Sequence, residues 1–172
     1  MSKLILTRGI PASGKSTWAK NWVQAAPEHR VRVNRDDLRR MLYATTSTLL
    51  SWQQEQNVTQ IERAIAKTAL EKGKDVVIDA MNLRAKWVRQ WYTLGYEIEF
   101  RDFPVSLEDA IARNAGRENP LPEVVIFNTY ERLTDLGALP APPGDGGYTK
   151  EVASAGSTCE RDSSSSRTGL DP

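Results

Sequence analysis

The sequence is poor in the features that mark several protein classes. One cysteine, Cys159, stands among 172 residues. It cannot close an internal disulfide, which fits a reducing compartment. The single histidine, His29, follows Pro27 and Glu28 and reads as a solvated loop residue with no assigned chemistry. No apolar run approaches the ~20 residues of a membrane span, and the run in MSKLILTRG is too short for a signal peptide. The expectation is a cytoplasmic protein with no membrane partner. Excess charge is also missing: 23 basic and 22 acidic residues leave a net charge of +1. Residues 138–172 hold five acidic and three basic side chains, so the remainder carries +3. That is too little for a long nucleic-acid footprint.

What the chain does have is alternation. Hydrophobic residues make up 40% and charged residues 26%, ordinary values for one domain with one sizeable core. Lys3–Thr7 reads as a buried strand and Ser16–Gln24 as a helix. Val31–Val33 is a second strand. A helix carrying Leu38, Met41 and Leu42 follows, with Asp36 or Asp37 as its cap. Residues 44–51 read as a loop. Gln54–Lys72 is a long helix with Val58, Ile61, Ile65, Thr68 and Ala69 on one face. Asp75–Asp79 is the strongest strand signal. Helix Leu83–Leu94, strand Tyr96–Phe100, a helix capped at Ser106 and running to Ala115, and helix Pro122–Leu136 complete the series. Strands alternating with helices imply a parallel sheet covered on both faces, an α/β fold. The boundaries expected are a domain over 1–137 and a disordered Pro/Gly/Ser-rich tail over 138–172.

Gly9-Ile-Pro-Ala-Ser-Gly14-Lys15-Ser16 fits G-x-x-x-x-G-K-[ST] without a gap, between a strand and a helix. Glycines let successive backbone N–H groups face one anion, and the helix N-terminus adds unpaired donors. Gly9, Ser13, Gly14, Lys15, Ser16 and Thr17 are the residues expected at a nucleotide's phosphates. Lys15 would reach the β- and γ-phosphates, and Ser16 would hold Mg²⁺. Asp79 ends the strand VVID, where a carboxylate can hold a metal-bound water; the same residue would also suit a strand-end cap. Asn82 shares that ambiguity. A dinucleotide site fails, because it wants G-x-G-x-x-G and no lysine crowding the pyrophosphate.

A phosphate cradle does not by itself separate motor, switch and kinase. Val33-Asn34-Arg35-Asp36-Asp37-Leu38-Arg39-Arg40 adds carboxylates and arginines at a strand end on the cradle's edge of the sheet. A kinase needs a carboxylate to accept the acceptor hydroxyl's proton and gains from an arginine on an acceptor phosphate. Asp36 and Arg39, three apart, would share a helix face. A cap followed by a solvated basic face would use the same residues. Arg113 and Arg117 lie near a helix end, beside Asn114, Gly116 and Asn119-Pro120. They would suit a mobile lid over a transferring phosphoryl group, or simply a helix C-terminus.

Taken together, ILTRGIPASGKSTWAK, VNRDDLRR, VIDAMNL and ARNAGRE resemble the kinase modules of phage and bacterial 5′-polynucleotide end-healing enzymes, over about Lys3 to Leu136. The resemblance implies a P-loop kinase fold: a four-stranded parallel sheet flanked by helices, with a helical lid and an acceptor tunnel opposite the ATP side. It implies ATP (or another NTP) as donor, Mg²⁺, and the 5′-hydroxyl ends of RNA or DNA as acceptor, contacted over a few terminal nucleotides, with a ligase as functional partner. By that likeness Lys15 and Ser16 contact phosphate and metal. Asp36 is similar to the general base, Arg39 to the arginine on the acceptor's 3′-side phosphate, and Arg117 to the lid arginine. Asn82 then belongs with Asp36 and Arg39 on the acceptor side. Two departures stand out. Related modules often read D-A-T-N where this chain has Asp79-Ala80-Met81-Asn82, so a hydroxyl is lost at Met81. No D-x-D-x-T motif occurs, so 3′-phosphatase activity is not expected.

Two rival readings keep the cradle. A small-molecule or toxin-type kinase acting on a nucleoside or sugar nucleotide would keep Asp36 but leave Arg39 without a purpose. A non-catalytic ATP-binding adaptor would bind nucleotide and transfer nothing.

Overall fold

The computed structural model describes residues 2–45 and 50–135. Its apolar runs become strands because each is too short for a helix and is flanked by glycine or polar turns. The elements are β1 (Leu4–Arg8), α1 (Lys15–Gln24), β2 (Arg30–Asn34), α2 (Arg35–Tyr43), α3 (Trp52–Glu71), β3 (Asp75–Asp79), α4 (Ala85–Tyr92), β4 (Ile98–Asp102), α5 (Leu107–Ala115) and α6 (Glu123–Asp135). The four strands form one parallel sheet in the order β2-β3-β1-β4. Parallel neighbours require crossovers, and helices supply them. Register aligns Asn34 with Asp79 and Arg8 with Asp102, so all four strands end at one edge.

Alternation along the strands feeds two layers. Leu4, Leu6, Val33, Val76 and Ile78 pack with Leu38, Val58, Ala66, Leu70, Val88 and Trp91 from α2, α3 and α4. Ile5 and Val77 point the other way onto Ala19, Trp18 and Trp22 of α1. The sheet is therefore covered on both faces, as expected. A third cluster joins Ile10, just after β1, to Ala110 of α5 and Ile126 of α6. Burying each large apolar side chain is worth about 1.5–3 kcal/mol.

Several boundaries differ from the sequence reading. Asn34, not Asp36 or Asp37, caps α2: its side chain accepts from the Asp37 N–H at 2.9 Å. Asparagine satisfies a free helix donor as well as aspartate does. α3 begins at Trp52, two residues before the expected Gln54, because Ser51, at the end of the stretch read as a loop, forms a reciprocal capping box with Gln54. Residues 46–49 of that loop lie outside the described residues. Thr68 is exposed, and Glu62 takes a place on the buried face of α3. α4 starts at Ala85 and β4 runs two residues further than expected, to Asp102. The expected tail, 138–172, lies outside the described residues. No described helix is long and apolar enough to cross a membrane.

Candidate active site

The chain leaves β1 through an ion pair. Arg8, almost fully buried, donates from Nε and Nη2 to the two carboxylate oxygens of Asp102 at 2.6 and 2.7 Å. This fork fixes β4 beside β1 immediately before the glycine-rich turn. At Gly9 a Cβ would lie 2.7 Å from Ser13 Oγ and 2.9 Å from the Phe103 carbonyl, so only glycine fits. Ala12 and Gly14 adopt left-handed backbone (φ 62° and 97°), which turns the loop into α1.

α1 differs from α2, α3 and α5 at its start. Those three have a side-chain cap and acidic residues in the first turn. α1 has Gly14 as its cap residue, no side-chain cap bond and no first-turn acid. Its first-turn amides are left without a side-chain cap, as donors that an anion could use. Lys15 is buried; its Nζ donates to the Ile10 carbonyl at 2.6 Å and to Ser13 Oγ at 3.1 Å. The lysine thus lies folded into the loop, as a cradle needs if it is to meet phosphate oxygens. Burial pushes the Lys15 pKa down to about 8, against the pull of Asp79 and with a further push from Arg117.

Ser16 Oγ donates to Asp79 Oδ1 at 3.1 Å. The other oxygen, Oδ2, accepts from Arg32 Nε at 2.8 Å and Asn34 Nδ2 at 3.1 Å, both on β2. The hydroxyl and carboxylate expected near a metal therefore adjoin each other. They offer oxygen donors of the kind Mg²⁺ uses, the rest of its shell coming from phosphates and water. No cluster of three or more His, Cys, Asp or Glu suited to a metal occurs among the described residues.

The structure brings together Asp36 and Arg39, the residues expected on the acceptor side. Asp36, exposed in the first turn of α2, accepts from Arg39 Nη1 at 2.7 Å. Glu55 grips the same guanidinium by two bonds of 2.9 Å, from Nε and Nη2. Arg35 joins the network: Nη2 donates to Glu55 and Thr59 at 2.8 Å, and Nη1 to Glu62 at 2.9 Å. Arg39's hydrogen bond, opposed by partial burial, holds the Glu55 carboxyl below its ordinary range. Burial pushes the Glu62 carboxyl above it, with Arg35 opposing.

Arg117 lies close enough to lower the proton affinity of Lys15, whereas Arg113 is exposed and makes no ion pair among the described residues. The expected mobile segment is pinned. Asn114 is buried and donates to the Leu121 carbonyl at 2.8 Å while accepting from its N–H at 2.9 Å. Asn82 is also committed internally. It is buried, and Nδ2 donates to the Thr7 carbonyl at 2.9 Å and the Ile78 carbonyl at 3.3 Å. It joins β1 to the turn after β3, so its two N–H groups do not face an acceptor. Met81 is exposed and its carbonyl accepts from the Gly9 N–H at 3.3 Å.

The sequence profile of the AAA domain family matches residues 4–135. The chain belongs to this family. This AAA domain is 31% identical over 135 residues to a candidate bifunctional polynucleotide kinase/RNA ligase of Autographa californica nuclear polyhedrosis virus, covering 70% of the chain and 19% of that protein. Among solved structures it is similar to a chain of the Pnkp1/Rnl/Hen1 RNA repair complex, at 28% identity and TM-score 0.67, covering 78% of this chain and 44% of that one. The Mycobacterium tuberculosis APS kinase CysC in complex with AMPPNP and APS shares the fold alone, at 17% identity and TM-score 0.54, covering 78% of this chain and 96% of that one. The AAA domain thus has the P-loop kinase fold, and the resemblance to polynucleotide kinases carried by its motifs extends to these relatives. It spans about a fifth of the viral protein and under half of the repair-complex chain.

The sequence reading missed Glu55, Glu62, Arg35 and Arg32. A buried Glu62 four residues after Val58 breaks an otherwise apolar stripe, and that mismatch was the available signal.

Proposed function

We propose that this AAA domain transfers the γ-phosphate of ATP to the 5′-hydroxyl end of a polynucleotide. One juxtaposition carries the reading: a phosphate cradle and a carboxylate–arginine pair meet at the same sheet edge, joined through Asp79, Arg32 and Asp37. Arg32 donates from Nη2 to Asp79 at 2.6 Å and from Nη1 to Asp37 at 2.6 Å, and Asp37 adjoins Asp36 in α2. The polynucleotide-kinase relatives favour this acceptor over a small molecule.

On this reading the amides after Gly14 and the Lys15 ammonium bind the β- and γ-phosphates, with Gly9, Ser13 and Thr17 shaping or lining the loop. Lys15 exchanges its bonds to the Ile10 carbonyl and Ser13 for phosphate oxygens. Ser16 and, through water, Asp79 would hold Mg²⁺, which would neutralise charge on the donor's phosphates. Asp36 accepts the proton from the attacking 5′-oxygen. Arg39, preset by Glu55, binds the phosphate on the acceptor's 3′ side. Arg117 holds charge on the phosphoryl group as it moves. The electron pair of the new O–P bond comes from the 5′-oxygen; the bond to the β–γ bridging oxygen breaks and ADP leaves. A ligase partner would then use the 5′-phosphate.

The test incubates the full chain with γ-labelled ATP, Mg²⁺ and single strands ending in 5′-hydroxyl or 5′-phosphate. Label is expected at the 5′ end of the first strand alone. ATP binding without label on either strand would favour a non-catalytic adaptor and overturn the proposal.

A further inference from the structure

The turn after β3 and the start of α4 carry side chains that the transfer chemistry leaves without work. From Ala80 to Tyr96 there are three cationic residues, Arg84, Lys86 and Arg89, and no aspartate or glutamate. Within this basic stretch stands Trp87, 42% exposed. Its ring has two cations beside it. Lys86 Nζ lies 4.9 Å from the centroid and the Arg35 guanidinium 6.0 Å away. Arg35 is next to Asp36 in sequence and shares Glu55 with Arg39. The indole is thus linked through the Arg35 guanidinium and the Glu55 carboxylate to Arg39, proposed to hold the acceptor's phosphate.

The tryptophan pair on α1 is different. Trp18 and Trp22 stack with centroids 6.0 Å apart and pack onto Ile5, Ala19 and Val77 of the core. They have structural work to do. Trp87 shows no comparable burial, and Met81, in the turn before α4, is 45% exposed.

We infer that Trp87 is a stacking platform for a nucleobase of the single-stranded acceptor, with Arg84 and Lys86 against its phosphates. Every base has a π-face, so such a platform binds strands without reading sequence, and basic neighbours favour the anionic backbone. A flat indole fixed by cations also limits where the strand's end can lie. This inference rests on the polynucleotide reading above, and it makes Trp87 a substrate-positioning residue outside the phosphoryl-transfer set.

The experiment measures binding and turnover separately, with Trp87→Leu and Trp87→Phe in the full chain. Binding is read by anisotropy of a 5′-hydroxyl single-stranded hexamer labelled at its 3′ end, and turnover by KM for the same strand and for ATP. Trp87→Leu should weaken hexamer binding and raise its KM about tenfold, leaving the KM for ATP and the melting temperature near wild type. Trp87→Phe keeps a ring and should stay within about threefold of wild type. A hexamer whose bases are removed should bind wild type as weakly as the intact strand binds Trp87→Leu, and should lose nothing further in that variant. Equal affinity of wild type and Trp87→Leu for the intact strand overturns the inference, as does an equal penalty for base removal in both. If wild type binds the hexamer but transfers no label, the kinase reading fails while the binding arm still decides Trp87. If wild type does neither, both readings fall.

Discussion

The candidate phosphate cradle and the proposed acceptor-side patch share one sheet edge but are assembled by different means. The cradle is a continuous run, Gly9 to Ser16, in which backbone conformation does most of the work: two left-handed residues, a Gly9 that admits no side chain, an uncapped helix and one buried lysine. The patch is made of side chains from two helices, with Arg35, Asp36 and Arg39 on α2 facing Glu55, Thr59 and Glu62 on α3. Loop geometry is local and tolerates little change, because no neighbour can replace a backbone turn. A network of charged side chains is distributed, so losing one member loosens the groups it held.

The comparison predicts the sharpest loss in the cradle. Lys15→Ala should lower phosphoryl transfer by about 10³-fold or more and abolish measurable ATP affinity, because it removes a desolvated charge aimed at the phosphates. Retained ATP affinity in a calorimetric titration would place the phosphates elsewhere. Asp36→Ala should reduce kcat by roughly 10²–10⁴-fold while ATP still binds, as expected for a lost general base. A kcat near wild type would return Asp36 to the role of a first-turn acid on a solvated helix.

Smaller effects separate the two regions further. Glu55→Gln should raise the KM for the acceptor about tenfold and leave the KM for ATP alone, because it loosens Arg39 without touching the cradle. An equal rise in both values would break the division between donor and acceptor sides. The same variant carries a pH signature. Arg39 holds the folded Glu55 carboxyl below its ordinary 4.5, so its stabilising contribution is present above that value and is lost as pH falls through the folded pKa. Melting temperatures of wild type and Glu55→Gln should therefore differ at pH 7 and converge below about pH 4.5. Lys15 gives the smallest and most specific signal. With its pKa near 8 in the free protein, ATP affinity should weaken as pH rises through 8, and binding there should take up a proton. Heats measured in buffers of different ionisation enthalpy would show no uptake if the lysine remains fully protonated.

What was legible in the sequence follows the same division. The cradle could be read because its chemistry is encoded by adjacent residues, and the strand order followed once each apolar run had a helix between it and the next. Asp36 and Arg39 were legible as a pair because three residues bring side chains together on a helix. Glu55 was not, because it lies 16 residues from Arg39 and meets it only when α3 packs on α2. Glu62 was hidden by its charge, which argues for solvent until Arg35 is seen opposite it. Asn114 and Asn82 misled for a related reason. Both read as loop formers or ligand contacts, and both turn out to tie backbone segments together. A short amide side chain carries donors and acceptor in one plane, and only the fold decides which groups they meet.

The central claim is that the patch receives the end of a polynucleotide and not a free small molecule. The most direct measurement compares kcat/KM for a nucleoside 3′-monophosphate and for the same nucleoside without phosphate, in wild type and Arg39→Ala. A preference of about a hundredfold or more for the 3′-phosphorylated acceptor, largely erased in Arg39→Ala, is the predicted result. Equal use of both acceptors, or a preference for the bare nucleoside, would contradict the account and make this domain a small-molecule kinase.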